Sequence, residues 1–149
     1  MNHAPVLICY DGSEGARRAI DATVELLGSD RRVVVLDVAP VLTTAESLAV
    51  LGPAPYAFEE LNSSEAARTA QEGVAYALAA GLHAESRATV EAPTWQGIVH
   101  VADELGAAVI VIGSRGLEGA REVFEGSLSH QVAEHAGRPV LIVPPPQDT

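Results

Sequence analysis

The sequence predicts an α/β fold: an open, doubly wound parallel sheet of five strands with helices on both faces. Short apolar runs rich in Val and Ile recur along the chain, Ala-rich segments of helix length lie between them, and 48% of the residues are hydrophobic. Strands that are apolar on both faces belong to parallel sheets that helices cover on each side. A chain of 149 residues suits one domain, since domains commonly have roughly 100–200 residues. We therefore assign residues 1–149 to a single domain.

Five segments have the length and composition of strands. Most are continuous apolar runs, whereas the third alternates more loosely between apolar and polar residues. In chain order the predicted strands are Val6–Tyr10, Val33–Val38, His83–Val90, Val109–Ile112 and Val140–Val143. Their alternation with helices calls for crossover connections, which are right-handed in parallel sheets.

Four segments predict helices. The first has apolar residues spaced by three and four, and Gly28 follows it as a predicted C-cap. The third follows Thr94, a predicted N-cap, and stops at Gly106. In chain order the predicted helices are Glu14–Leu27, Glu59–Ala80, Gln96–Leu105 and Ser127–His135.

Two connections are long, and long loops are usually functional or mobile. The first, Pro40–Phe58, contains three prolines, and we expect a short helical turn within it near Thr44–Leu51. The second is Ser114–Glu125. The segment Pro144–Thr149 is expected to be an extended, frayed end of the domain.

Composition excludes several classes of function. The net charge of −11 and the pI near 4.7 argue against binding along a nucleic-acid backbone, and an aromatic content of 4% argues against base stacking. The single cysteine, Cys9, can form no disulfide within the chain. No apolar run reaches the roughly eighteen residues of a membrane span, and the N-terminus does not resemble a signal peptide. We expect a cytoplasmic protein without nucleic-acid or membrane partners.

Two predicted strand ends carry residues suited to an anionic ligand. Parallel sheets bind ligands outside the carboxyl ends of their strands, where the strand order reverses. Asp11–Ser13 follows the first strand, and Gly113–Gly116 follows the fourth and leads to Gly126–Ser129 at the start of a helix. Glycines let the backbone approach an oxyanion, and a helix N-terminus adds donors and positive partial charge. This pattern predicts a phosphate-binding loop at Gly113–Ser127.

Other phosphate-binding and catalytic motifs are not present. The chain contains no Lys, which excludes a Walker loop, and neither Gly-x-Gly-x-x-Gly nor Gly-x-Ser-x-Gly occurs. The five histidines have no metal-ligand spacing, and no nucleophile–base pair is evident. We therefore predict no catalytic residues and no metal ligands. Trp95 is expected to pack in the core.

The glycine loop resembles that of a known family. Gly113-x-x-Gly116, nine further residues and Gly126-Ser127 are similar in order and spacing to the motif of the ATP-binding branch of the universal stress protein family. The motif follows the strand Val-Ile-Val-Ile and precedes Ser-Leu-Ser-His-Gln-Val. The opening Tyr10–Ala16 and the closing Arg138–Val143 also resemble the family, so the resemblance covers nearly the whole chain.

The resemblance implies a three-layer Rossmann-like sheet with strand order 3-2-1-4-5. It also implies a homodimer, which the apolar edge at Val140–Val143 would favour. It further implies that Asp11 contacts the ribose and that Val38 borders the adenine, while Arg115 is placed to approach phosphate. The residues expected around the phosphates are Gly113, Arg115, Gly116, Gly126, Ser127, Leu128 and Ser129. The implied ligand is ATP, with AMP and ADP as alternatives, and Mg²⁺ would accompany the triphosphate.

The implied function is stress sensing or signalling through nucleotide occupancy, with little or no hydrolysis and at most a slow ATPase activity. Two other classes stay open: a stress protein that binds no nucleotide and works as a protein-interaction module, and an enzyme of the wider adenine-nucleotide α-hydrolase-like fold group. The predicted loop also contains three carboxylates, which would repel a triphosphate unless they point outward; they belong to Glu118, Glu122 and Glu125. Asp11 either contacts the ligand or caps the first helix, with Glu14 completing a capping box; we favour ligand contact.

Overall fold

The computed structural model describes residues 4–39, 55–114 and 127–147, with side chains described in 4–38, 64–114 and 127–147. These residues form one five-stranded sheet and four helices. In chain order the elements are β1 Val6–Cys9, α1 Glu14–Leu27, β2 Arg32–Ala39, α2 Pro55–Ala79, β3 His83–Val90, α3 Thr94–Leu105, β4 Val109–Gly113, α4 Leu128–His135 and β5 Val140–Val143.

All four strand pairings are parallel, and the order is β3-β2-β1-β4-β5, which confirms the expected order 3-2-1-4-5. β1 lies at the centre, with Leu7 beside Val34 of β2 and Ile110 of β4. The strand order reverses at β1, because the chain first builds outward through β2 and β3 and then returns to β4 and β5. This reversal creates the crevice at which such sheets bind ligands.

Helices cover both faces of the sheet, which confirms the three-layer α/β fold. Successive strand residues point to opposite faces, so Val6 and Ile8 pack against α1 and α2 while Leu7 packs on the side of α3 and α4. Central strand residues are completely buried, including Val6, Leu7, Val33 and Ile110. The continuous apolar runs of the sequence therefore reflect burial on both faces.

The boundaries of several elements differ from the predicted ones. α2 begins at Pro55, four residues before the predicted Glu59, since proline is tolerated in the first turn of a helix. Thr94 is the first residue of α3 rather than its N-cap, and Pro93 takes the cap position without a side-chain hydrogen bond. Ser127 is the N-cap of α4, not its first helical residue. β2 and β4 each extend to one residue beyond the predicted end, at Ala39 and Gly113.

Other predictions of local structure are confirmed or lie outside the described residues. Glu14–Leu27 is helical over the predicted range, and Gly28 closes it with a φ of 93° and an amide that donates to the Val24 carbonyl. A positive φ of this kind suits glycine, which has no Cβ. The turn predicted at Thr44–Leu51 lies outside the described residues. Within the described part of the chain, no helix is long and apolar enough to cross a membrane.

Candidate functional site

The carboxyl ends of β1 and β4 lie side by side at the centre of the sheet. Ile8 pairs with Val111 two positions before β4 ends, and Asp11 follows β1 directly after Tyr10. On the other side of β1, the Tyr10 amide donates to the Leu36 carbonyl at 2.8 Å. The structure therefore brings the segment after β1 and the end of β4 to one edge, as the sequence predicts, and the end of β2 lies beside them.

Gly113 ends β4 in close contact with the first turn of α1. A Cβ atom on Gly113 would lie 2.4 Å from the Gly15 carbonyl oxygen and 2.7 Å from the Gly15 carbonyl carbon. Real Cβ atoms do not come this close to backbone atoms. Glycine is therefore required here so that α1 can pack against β4, whether or not a ligand binds.

Asp11 and Ser13 form a turn that starts α1. Asp11 Oδ1 accepts a hydrogen bond from the Ser13 amide at 2.9 Å, and Ser13 Oγ accepts one from the Ala16 amide at 3.2 Å. Ser13 is the N-cap, so the alternative in which Asp11 caps this helix is wrong. Asp11 is exposed, and its carboxylate stands at the edge of the sheet with one oxygen held by the turn.

The start of α4 supplies the predicted serines. Ser127 Oγ accepts a hydrogen bond from the His130 amide at 3.3 Å, and it lies 3.4 Å from Ser129 Oγ. Ser129 is buried, with 8% of its surface exposed. Leu128 is half-buried and packs on the core beneath α3 and α4. The two hydroxyls thus lie together at the helix end that carries positive partial charge.

Val38 lies one residue before the end of β2 and packs at the edge of the core on the α3 side. Trp95, in the first turn of α3, packs against the same core, as expected. Its indole also stacks on the His135 ring, with centroids 4.0 Å apart and planes inclined by 19°. The stack joins the start of α3 to the end of α4.

Sequence reasoning missed Asp37, which precedes Val38 on β2. The pKa of the Asp37 carboxyl is raised from 3.8 to about 6, mainly by burial and in addition by the negative charge of Asp11. Burial and the charges of Asp11 and Asp37 raise the pKa of the Cys9 thiol to about 12. A lone acid in an apolar strand near its carboxyl end was the available signal.

Three predicted site residues, Arg115, Gly116 and Gly126, lie outside the described residues, as do Glu118, Glu122 and Glu125. Among the described side chains, no group of three or more His, Cys, Asp or Glu residues is arranged to hold a metal ion. The described residues of the candidate site therefore provide three local features: a carboxylate after β1, a close backbone contact at the end of β4 and two neighbouring hydroxyls at the start of α4.

Comparison with known proteins identifies the family. The profile of the Universal stress protein family matches residues 3–144. The chain is 30% identical to the universal stress protein YxiE of Bacillus subtilis over 144 residues, which are 93% of this chain and 97% of that protein.

Solved structures with bound nucleotides share the fold. One is a universal stress protein in complex with cAMP, with a TM-score of 0.65 and 26% identity, covering 96% of this chain and 98% of that one. Another is a universal stress protein family protein from Arabidopsis thaliana with AMP bound, with a TM-score of 0.66, 18% identity and coverage of 95% and 92%. With the profile match over nearly its whole length, the chain belongs to the universal stress protein family.

Proposed function

We propose that this chain binds an adenine nucleotide at the carboxyl ends of β1, β2 and β4 and acts in stress sensing or signalling. The observation that carries the proposal is the meeting of the Asp11 turn with the end of β4, at the point where the strand order reverses. Ligands of doubly wound sheets bind at such points. The related proteins solved with cAMP and AMP support an adenine nucleotide as the ligand.

Each predicted residue has a role in this proposal. Asp11 accepts hydrogen bonds from the ribose hydroxyls, because its carboxylate is exposed and its turn fixes the side chain. Val38 borders the adenine. The phosphates are held by the glycine loop and the start of α4, and the residues concerned are Gly113, Arg115, Gly116, Gly126, Ser127, Leu128 and Ser129. Leu128 takes part through its backbone.

The described residues fit the anionic end of a nucleotide. The first amides of a helix have no intrahelical acceptor, and the helix N-terminus carries roughly half a positive charge. Ser127 and Ser129 add hydroxyl donors at the start of α4. We propose ATP as the ligand, with AMP and ADP as alternatives, and Mg²⁺ as a companion of the triphosphate that would screen its charge in this acidic protein.

Nucleotide occupancy, rather than turnover, is the proposed signal. No described group resembles a nucleophile with an adjacent general base, so hydrolysis would be slow at most. We also propose a homodimer through β5, because β5 is an edge strand of the described sheet and Ile142 is 39% exposed. Unpaired strand edges favour pairing with a second chain.

Mass spectrometry of ligand released from the purified protein tests the proposed function. AMP, ADP or ATP at near-stoichiometric amounts is the expected result. A second candidate, a protein-interaction module without a nucleotide, is favoured instead if no nucleotide co-purifies and none binds at millimolar concentration. The net charge of −11 would then favour a basic protein partner.

A further inference from the structure

Arg18 on α1 is a half-buried cation without an ion-pair partner among the described residues. Its Nε atom is buried and donates no hydrogen bond to any of them. Buried polar groups are normally hydrogen-bonded, and charged side chains are seldom buried unless they are paired. Several other described arginines are paired with carboxylates, in Arg17–Glu72, Arg32–Glu85, Arg87–Glu104 and Arg138–Asp103. Arg18 therefore carries a positive charge that no described carboxylate neutralises at ion-pair distance.

Two acids stand at helical spacing from Arg18, and neither pairs with it. Glu14 lies four residues earlier on α1 and Asp21 lies three residues later, and such spacings bring opposite charges together on one face of a helix. Asp21 instead accepts hydrogen bonds from the Tyr76 hydroxyl, at 3.2 Å and 3.1 Å. Glu14 is exposed in the first turn of the helix. Arg18 therefore has no partner within its own helix.

The guanidinium of Arg18 lies at the edge of the sheet where the proposed phosphate loop starts. A Cβ atom on Gly15 would lie 3.5 Å from Arg18 Nη2 and 3.5 Å from the carbonyl oxygen of Ser114. Helical side chains lean towards the helix N-terminus, and the N-terminus of α1 follows the carboxyl end of β1. Ser114 is the residue directly after Gly113, at which β4 ends. The unpaired charge is therefore beside the first residues of the proposed loop.

A fixed positive charge at this edge suits an anionic ligand. The chain has a net charge of −11 and contains no Lys, and Asp11 and Glu14 place carboxylates next to the start of α1. These carboxylates repel phosphate groups, so a phosphate site at this edge requires positive charge to offset them. Arginine cannot be deprotonated in proteins, and its guanidinium binds phosphate oxygens. Arg18 has the charge and the location that such a site needs.

We propose that Arg18 supplies positive charge that favours the phosphate groups of the bound nucleotide. This inference rests on the proposed function, since it requires the phosphates to lie at the loop that Ser114 opens. Because Nε is buried, the effect is electrostatic and does not require Nε to contact the ligand. Coulomb attraction grows with the charge of the ligand. The contribution of Arg18 is therefore greatest for ATP, smaller for AMP and absent for adenosine, which has no phosphate.

The test measures dissociation constants for ATP, AMP and adenosine by calorimetry, at low salt and without Mg²⁺, because other ions screen the charges. Arg18→Met removes the charge, and Arg18→Lys keeps it. Arg17→Met is the matched control, since it changes the net charge by the same amount, but Arg17 is 46% exposed and pairs with Glu72. We expect Arg18→Met to weaken ATP binding by about tenfold and AMP binding by about threefold, with adenosine binding unchanged. Arg18→Lys and the control should stay within about twofold of the wild type for all three ligands.

Several results would overturn the inference while leaving nucleotide binding intact. One is no loss in Arg18→Met, or an equal loss for ATP, AMP and adenosine, which indicates a structural role. Others are an equal loss in Arg17→Met, which indicates a general effect of net charge, and a loss in Arg18→Lys as large as that in Arg18→Met. Equal affinity of the wild type for ATP and adenosine does so without any variant, which covers a variant that does not fold. No binding of any of the three ligands by the wild type overturns the proposed function as well.

Discussion

Gly113 of β4 and Gly15 of α1 are in backbone contact, with only 2.4 Å between the Gly15 carbonyl oxygen and the position of a Cβ atom on Gly113. The first glycine of the proposed nucleotide loop thus has a packing role that does not depend on a ligand. It holds the start of α1, and with it the Asp11 turn, against the centre of the sheet. A substitution at Gly113 is therefore expected to lower the stability of the fold, whether or not a ligand binds.

We expect Gly113→Ala to lower the free energy of unfolding by about 1–3 kcal/mol, since an added methyl group overpacks a close contact. Urea denaturation measured without nucleotide checks this. Gly15→Ala is the matched control, because a Cβ atom there meets its nearest neighbours at ordinary contact distances of 3.5 Å and more. The control should be neutral or stabilising by up to about 1 kcal/mol, as alanine favours helices over glycine. Equal effects of the two substitutions would contradict the packing role.

Asp11→Asn separates ligand contact from turn structure. Asparagine keeps the oxygen that accepts from the Ser13 amide, so the unfolding free energy should stay close to that of the wild type. The lost charge should weaken AMP binding by about tenfold, since hydrogen bonds to charged groups are roughly twice as strong as neutral ones. Ser13→Ala should do the reverse: it removes the N-cap and destabilises by about 1 kcal/mol, with little effect on affinity. Calorimetry and urea denaturation of both variants distinguish these outcomes.

Asp37 should make stability depend on pH. Its folded-state pKa of about 6 lies above the ordinary 3.8, so the folded state holds the proton more tightly than the unfolded chain. The contribution of this group to stability is therefore greatest at low pH, and it falls as pH rises from about 4 to about 6. Asp37→Asn should stabilise the protein at pH 7 by about 1 kcal/mol, a value discounted because the side chain is half-exposed. The gain should shrink at pH 4, and a gain that is constant over this range argues against the raised pKa.

Cys9 should be unreactive in the folded protein. Its pKa of about 12 leaves little thiolate at pH 8, and the thiolate is the nucleophile. Ellman's reagent should label the native chain far more slowly than the chain in urea. Similar labelling rates in both conditions would show that the thiol is accessible and ionises normally.

The strands and α1 could be predicted because their signals are local. The apolar runs at β1, β4 and β5 and the spacing of α1 need no knowledge of distant residues. Helix starts were harder, since proline marks both a loop and a first helical turn; Pro55 begins α2, whereas Pro93 caps α3. A Pro-rich segment alone does not distinguish these cases.

The features around the candidate site also divide into those with a local sequence signal and those that depend on contacts between distant segments. The position of Asp11 at the edge of the sheet could be predicted because a carboxylate after a strand end is visible in the sequence, whereas its contact with a ligand stays a prediction. Other contacts could not be predicted: Glu91, directly after β3, and His100, on α3, lie nine positions apart, and the 2.6 Å contact between their side chains depends on how α3 packs against the end of β3. Asp37 gains its raised pKa from burial and from Asp11, which lies on a different segment of the chain. Properties that arise between elements could not be read from either element alone.

Thermal unfolding with and without ATP or AMP, in the presence and absence of Mg²⁺, tests the central claim most directly. Bound ligand stabilises by RT ln(1 + [L]/Kd), about 2.7 kcal/mol at a hundredfold excess over Kd. We expect a clear rise in the melting temperature for the wild type and none for Gly116→Val, whose unfolding without ligand should be normal. No rise at millimolar nucleotide, or an equal rise in Gly116→Val, would contradict nucleotide binding at this loop.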